Sequence, residues 1–267
     1  MNPTGRIREI IDEIAEMIIS NSSRYSESIR SYYYRHRCRI IYNALVIDKL
    51  ASNKKLDIIE VGPYPGILSL YLAFQGHTVD IIEYPRPEME ELDPILRDNG
   101  INNIVYHDLS QDKSIESLGE YDLALMFEVI EHIPAHPVKV MKKINHILKK
   151  KGILLMSTPN MMNSFNRVGF IKGVEPFPVY NYDDKTTKGH FREYSKKEIE
   201  YILERAGFKI ESIREMDKSD YCREVGIDVK QRVIERIKIG ASRAILKTLG
   251  KGPLKAFLYI KAYKLSA

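Results

Sequence analysis

The chain has 267 residues, 44% hydrophobic and 29% charged. This is ordinary globular composition and excludes a disordered or collagen-like chain. No apolar run approaches the roughly 18 residues that span a bilayer, and the charges of Arg6, Arg8, Glu9, Asp12, Glu13 and Glu16 exclude a signal peptide at the start. The net charge is +5, but the segment from Lys230 to Lys264 holds ten basic residues against one acid, Glu235, so the rest sums to −4. The basic excess is therefore local, and net charge alone does not argue for nucleic-acid binding. Cys38 and Cys222 form no CxxC or metal-ligand spacing and are expected as reduced thiols of a cytoplasmic protein.

In chain order, Ile7, Ile10, Ile11, Ile14, Met17 and Ile18 follow a helical period. After a polar break at 21–26, a second helix is predicted over 28–50, rich in Tyr and Arg. From Leu56 the pattern changes. Short apolar runs at Leu56–Val61, Thr78–Glu83, Asn103–His107, Tyr121–Phe127 and Ile153–Ser157 read as strands. Helical stretches at Ile67–Gln75, Pro87–Asn99 and Pro137–Lys150 lie between most of them. Such alternation predicts an α/β fold, a parallel sheet covered by helices on both faces. Residues 158–190 break the alternation with Pro159, Pro176, Pro178 and many Asn, Gly and Asp, so they are expected to form an active-site cover. Ser195 with Glu198 reads as a capping box that opens a helix ending at Gly207. Two more strands follow, Phe208–Glu215 and Ala256–Lys264. Between them, residues 227–250 pattern as a basic amphipathic helix.

The first strand runs into Glu60-Val61-Gly62-Pro63-Tyr64-Pro65-Gly66 before a helix. Glycines there allow close backbone approach, and a helix N-terminus offers free N–H groups. The absence of a following Gly-Lys-Ser/Thr excludes a P-loop. Glu60 would repel a pyrophosphate and suits a cationic ligand. Glu83 closes the second strand, where an acid accepts both hydroxyls of a ribose. Asp108 follows the third strand and Glu128 the fourth, so polar groups line the one rim where a nucleoside would lie.

These residues resemble the class I S-adenosylmethionine-dependent methyltransferases, from about Leu56 to Glu215 with Ala256–Lys264 as a closing antiparallel strand. The glycine turn resembles the family's first motif, departing from it at Tyr64, where glycine is usual. Phe127-Glu128-Val129-Ile130-Glu131-His132, Ser157-Thr158-Pro159-Asn160 and Gly189-His190-Phe191-Arg192 are similar to the ubiquinone O-methyltransferase-like branch. The resemblance implies a Rossmann-like, seven-stranded, mostly parallel sheet with an N-terminal helical cap. Residues 1–52 would form the cap and 53–267 the cofactor-binding domain, with 158–192 as its lid. It implies S-adenosylmethionine held by Glu60, Gly62, Tyr64, Gly66, Glu83, Tyr84, Asp108, Leu109, Phe127 and Glu128.

His132, with Glu131 and His190, is the expected catalytic group, since a hydroxyl acceptor needs a base or a metal. A second reading makes Glu128, Glu131, His132 and His190 ligands of Mg²⁺ or Mn²⁺, as the resemblance implies. A third has Glu131 and His132 merely capping the next helix. Tyr33, Arg35 and Asn160 are expected to contact the acceptor, and Tyr32 and Tyr34 to line its pocket. That acceptor is expected to be a small molecule, a glycan or a lipid-linked precursor, methylated on oxygen. RNA 2′-O-methylation and a catalytically inactive methyltransferase-like binding module are the alternatives. The basic helix is either a solvated face or a peripheral membrane contact.

Overall fold

The computed structural model describes residues 3–112, 115, 118–173, 189–228 and 255–265. Two helices open the chain, α1 (Pro3–Asn21) and α2 (Ser26–Ala51). Then follow β1 (Asp57–Val61), α3 (Ile67–Phe74), β2 (Thr78–Glu83), α4 (Pro87–Asp98), β3 (Asn103–Tyr106) and β4 (Tyr121–Phe127). A 3₁₀ turn at Ile130–His132 leads to α5 (Pro137–His146) and β5 (Leu148–Pro159). The rest is α6 (Ser164–Ile171), α7 (Lys196–Arg205), β6 (Phe208–Met216), α8 (Lys218–Glu224) and β7 (Phe257–Lys264).

The seven strands form one sheet in the order β3-β2-β1-β4-β5-β7-β6. All neighbours pair in parallel except β7, which runs antiparallel to both β5 and β6. This is the expected Rossmann-like α/β sheet.

Alternation along each strand divides the core in two. Ile58, Val79, Ile81, Leu123 and Leu125 join α1, α2, α3 and α4 on one face. Ile59, Ile82, Ala124 and Met126 join α5 and α7 on the other. The N-terminal helices are thus held by the same buried cluster as the sheet.

Local sequence fixes several helix ends. Pro87 and Pro137 start α4 and α5 where no N–H partner is needed. Asn163 caps α6 by accepting from Phe165 and Asn166 N–H. Ser195 and Glu198 form the expected reciprocal box on α7.

Three expectations are corrected. The helix expected to reach Lys150 ends at His146, and β5 begins at Leu148. Lys149 Nζ is held there by Asp57 and Asp122, at 2.7 and 2.9 Å, which ties the segment to β1 and β4. The segment from Thr158 is not all loop, since β5 runs to Pro159 and α6 follows. Residues 174–188 of the expected lid, and the expected basic helix beyond Asp228, lie outside the described residues.

The third correction is chemical. Cys38 and Cys222 are joined in a disulfide. Packing of α8 on α2 brings the two Cα atoms to 4.8 Å, within bridging range. The bond removes the free-thiol argument for a cytoplasmic location. Among the described residues, no helix is long and apolar enough to cross a membrane.

Candidate active site

The carboxyl ends of β1, β2, β3 and β4 share one edge of the sheet, where open α/β folds bind ligands. After β1, Gly62 and Gly66 adopt φ of +64° and +92°. A Cβ at Gly62 would meet Val129 Cγ2 at 2.8 Å, and one at Gly66 would meet Leu96 Cδ2 at 2.5 Å. The glycines therefore let the turn after β4 and helix α4 close against the β1 turn. Glu60 is buried, and its Oε2 accepts from Ser69 Oγ on α3 at 2.5 Å. Burial pushes its carboxyl up to about 7, offset in part by the Ser69 hydrogen bond and reinforced by the Glu83 charge.

Glu83 ends β2 with only 4% of its surface exposed. Oε1 accepts the Tyr84 N–H at 2.9 Å. Oε2 lies 3.1 Å from Arg86 Nη2 but receives no well-directed hydrogen bond. Burial raises this carboxyl, against Arg86 and the N–H groups of Tyr84 and Tyr64. The Arg86 guanidinium also sits 4.6 Å over the Tyr64 ring, whose edge meets Tyr32 of α2 at 5.4 Å. Beyond β3, Asp108 accepts the Ser110 N–H at 2.9 Å, and Leu109 is buried.

The end of β4 is the most elaborate part of the rim. Phe127 stacks on Tyr259 at 5.9 Å. Glu128 follows in the left-handed region, with φ of +57°. Its Oε1 accepts from Ser157 Oγ at 2.6 Å, and its Oε2 lies 3.4 Å from Arg39 Nη1. Arg39 is a nearly buried cation contributed by α2.

Glu131 is fully buried in the 3₁₀ turn. Its Oε2 accepts from Thr158 Oγ1 at 3.1 Å, while Oε1 has no hydrogen-bond partner. Burial raises this carboxyl well above its ordinary range, helped by the Glu128 charge. The main-chain carbonyl of Glu131 accepts from Phe191 and Arg192 N–H at 2.7 and 3.1 Å. That backbone clamp sets His190 beside His132, with ring centroids 5.0 Å apart.

A carbonyl can only accept, so His132 Nδ1, 3.1 Å from the Gly189 oxygen, carries the hydrogen. His190 Nδ1 lies 2.8 Å from Glu193 Oε1 and donates likewise. Both Nε2 atoms remain for other work. Burial lowers the His132 pKa, so the ring is neutral at pH 7 and Nε2 holds a lone pair. One atom each of Glu131, His132 and His190 fall within 4.8 Å of one another.

A family profile described as a methyltransferase domain matches residues 31–213. The chain belongs to this methyltransferase family. It is a class I S-adenosylmethionine-dependent methyltransferase, and S-adenosylmethionine is its cofactor.

Curated relatives include ubiquinone biosynthesis O-methyltransferases of two rickettsiae. That of Rickettsia canadensis is 27% identical over 173 residues, covering 63% of this chain and 71% of the relative. That of Rickettsia prowazekii is 27% identical over 187 residues, covering 67% and 70%. Among solved structures, an S-adenosylmethionine-dependent methyltransferase of Clostridium acetobutylicum aligns with TM-score 0.58 at 12% identity, covering 91% of this chain and all of the other. One from Archaeoglobus fulgidus gives 0.56 at 15%, covering 87% and 98%. At such identities the structures show the fold.

The methyltransferase offers groups that fit its cofactor. Glu83 Oε2 is a buried acceptor still short of a directed donor, as a ribose acid requires. Glu60 is a buried carboxyl beside the glycine turn, able to ionise toward a cation.

Several sequence expectations fall elsewhere. Glu128 does not join the Glu131, His132 and His190 cluster, because Ser157 and Arg39 hold its carboxylate. Tyr33 is buried away from the rim, its hydroxyl donating to Asp12 beside Arg37. Asn160 is buried and used structurally, donating to Lys255 O and accepting the Met162 N–H. Arg35 is exposed, as is Tyr34, and Tyr84 touches Glu83 through its backbone. Of the α2 residues expected near the site, Tyr32 does reach the rim, against Tyr64, and Arg39, which was not expected there, reaches Glu128. The i, i+4, i+7 spacing of Tyr32, His36 and Arg39 was the available signal for one helix face.

Proposed function

We propose that this methyltransferase methylates a hydroxyl oxygen of a small-molecule acceptor, with His132 as general base. The observation that carries the reading is the clustering of Glu131, His132 and His190. His132 is oriented by the Gly189 carbonyl and presents a neutral Nε2, which suits a group that takes a proton from a hydroxyl. The cofactor, when bound, supplies an electrophilic methyl on a sulfonium. The chain's task is then to hold the acceptor oxygen and remove its proton. Burial disfavours the charged form of the neighbouring Glu131 carboxyl, with the Glu128 charge adding to that effect. The rickettsial relatives carry names of O-methyltransferases of ubiquinone biosynthesis, which supports an oxygen acceptor.

The same three residues fit a divalent cation. Each His offers Nε2 while its Nδ1–H is engaged by an oxygen, a usual outer-shell arrangement for metal-bound imidazole, and Glu131 Oε1 is otherwise unpaired. With Glu128 committed elsewhere, two imidazoles and one carboxylate favour Mn²⁺ or a similar transition ion over Mg²⁺. A cation there would supply Lewis acidity toward the acceptor hydroxyl.

The test is methyl transfer from S-adenosylmethionine to a panel of catechols, amines and thiols. It is run after chelation and again with Mn²⁺ or Mg²⁺ restored. Oxygen-methylated catechol, lost in His132→Asn while S-adenosylhomocysteine still binds, is the expected result. Methylation of nitrogen or sulfur alone, or full activity of His132→Asn, would overturn the assignment.

A further inference from the structure

Arg86 ties together the turns after β1 and β2. Its Nη2 lies 3.1 Å from Glu83 Oε2, and its guanidinium lies 4.6 Å over the face of Tyr64. Arg86 is also the N-cap residue of α4, so a rigid element fixes its backbone. The Glu83 side chain is nearly buried, whereas about a third of the Arg86 side chain is exposed. One partner is therefore fixed and the other has room to swing away.

We propose that Arg86 competes with the cofactor's ribose for Glu83, and that Tyr64 is the seat that makes this competition effective. The inference rests on Glu83 being the ribose acid. Glu83 has two oxygens to offer. Oε1 already accepts the Tyr84 N–H, so Oε2 is the one open to a new donor. Arg86 occupies that side, yet neither Glu83 Oε2 nor Arg86 Nε gains a well-directed hydrogen bond. A ribose hydroxyl can supply the directed donor that Oε2 lacks. The guanidinium must then move aside or share the oxygen.

Tyr64 replaces the glycine usual at this turn position, so the departure from the motif has a physical consequence. A glycine would offer Arg86 no aromatic face. Tyr64 adds a cation–π contact that holds the guanidinium against Glu83. Its ring is braced in turn by Tyr32 of α2, which links the competition to the N-terminal helices.

The test is calorimetric titration of S-adenosylhomocysteine into wild type, Arg86→Ala, Arg86→Gln, Arg86→Lys, Tyr64→Ala and Glu83→Ala. Thermal melting checks that each variant folds. Arg86→Ala and Arg86→Gln are expected to bind about three- to tenfold tighter than wild type, the scale of a partly exposed charge pair with an aromatic contact. Arg86→Lys keeps the charge and stays within about twofold of wild type. Wild-type affinity should rise with sodium chloride as the pair is screened, and Arg86→Ala should lose that dependence. Combining Tyr64→Ala with Arg86→Ala should add little to either alone. Unchanged or weaker binding by both neutral Arg86 variants would overturn the proposal. If Glu83→Ala abolishes binding in that case, only the competitor role fails. If Glu83→Ala binds as wild type does, the ribose assignment fails and the inference with it.

Discussion

Replacing Glu60 by Gln tests the electrostatic logic of the cofactor turn most directly. Glu60 is buried beneath the glycine turn and accepts one hydrogen bond, from Ser69. Its carboxyl titrates at about 7 rather than the ordinary 4.5, because burial disfavours the charged form more than Ser69 favours it. The unfolded chain releases that proton near 4.5, so between the two values the native state binds more protons. Stability is then fully present below pH 4.5 and is lost as pH rises through 7. At 1.36 kcal/mol per pH unit of separation, the loss is about 3 kcal/mol. Gln is nearly isosteric and never ionises, so Glu60→Gln should match wild type near pH 4.5 and be more stable by about 3 kcal/mol at pH 8. At roughly 2–4 °C per kcal/mol for a domain of this size, melting should differ by on the order of 6–12 °C. The assay is thermal melting of both proteins across pH 4.5–8. Parallel profiles would refute the reasoning. The gain in stability should come with weaker cofactor binding, because Gln cannot ionise toward a cationic methionine tail.

Other outcomes are equally specific. His132→Asn should lower turnover by about 10²–10⁴-fold, the scale of general-base catalysis, while S-adenosylhomocysteine affinity, read by calorimetry, stays within about threefold. Cys38→Ser removes a bridge spanning 184 residues, so denaturant unfolding should show about 2–5 kcal/mol less stability than the oxidised wild type. Coincident curves would mean that the bridge contributes nothing. Ser195→Ala deletes one half of the α7 capping box and should cost about 1 kcal/mol by the same assay.

How far the sequence could be read depended on whether a signal was local. Strands β1, β2 and β4 declared themselves because continuous apolar runs fit burial on both faces. The α7 box was visible because both partners lie three residues apart. Glu128, Glu131 and His132 looked like one ligand set because they are neighbours in sequence. The 3₁₀ turn keeps Glu131 and His132 together beside His190, but the left-handed backbone of Glu128 separates it from them and sends it toward Arg39 and Ser157. Local sequence does not encode those partners, which come from α2 and β5.

The same reason explains the different placement of neighbours on α2. Tyr32, Tyr33, Tyr34 and Arg35 form one run of aromatic and basic residues, but successive helical residues point about 100° apart. Which face meets the rim is decided by packing on α1, where Asp12 holds Tyr33 and Arg37. Tyr32 and Arg39 are left for the other side, toward Tyr64 and Glu128. The disulfide belongs to the same set of long-range facts, since Cys38 lies within α2 and Cys222 within α8, 184 residues apart. It joins the residues next to Arg39 and Tyr221, whose charge environments both include Glu128. The N-terminal helices therefore do more than cover the sheet. Through Tyr32, Arg39 and Cys38 they reach the glycine turn, the end of β4 and α8 at once. Tyr32→Ala should therefore alter S-adenosylhomocysteine affinity, read by calorimetric titration, although Tyr32 lies outside the sheet's own turns.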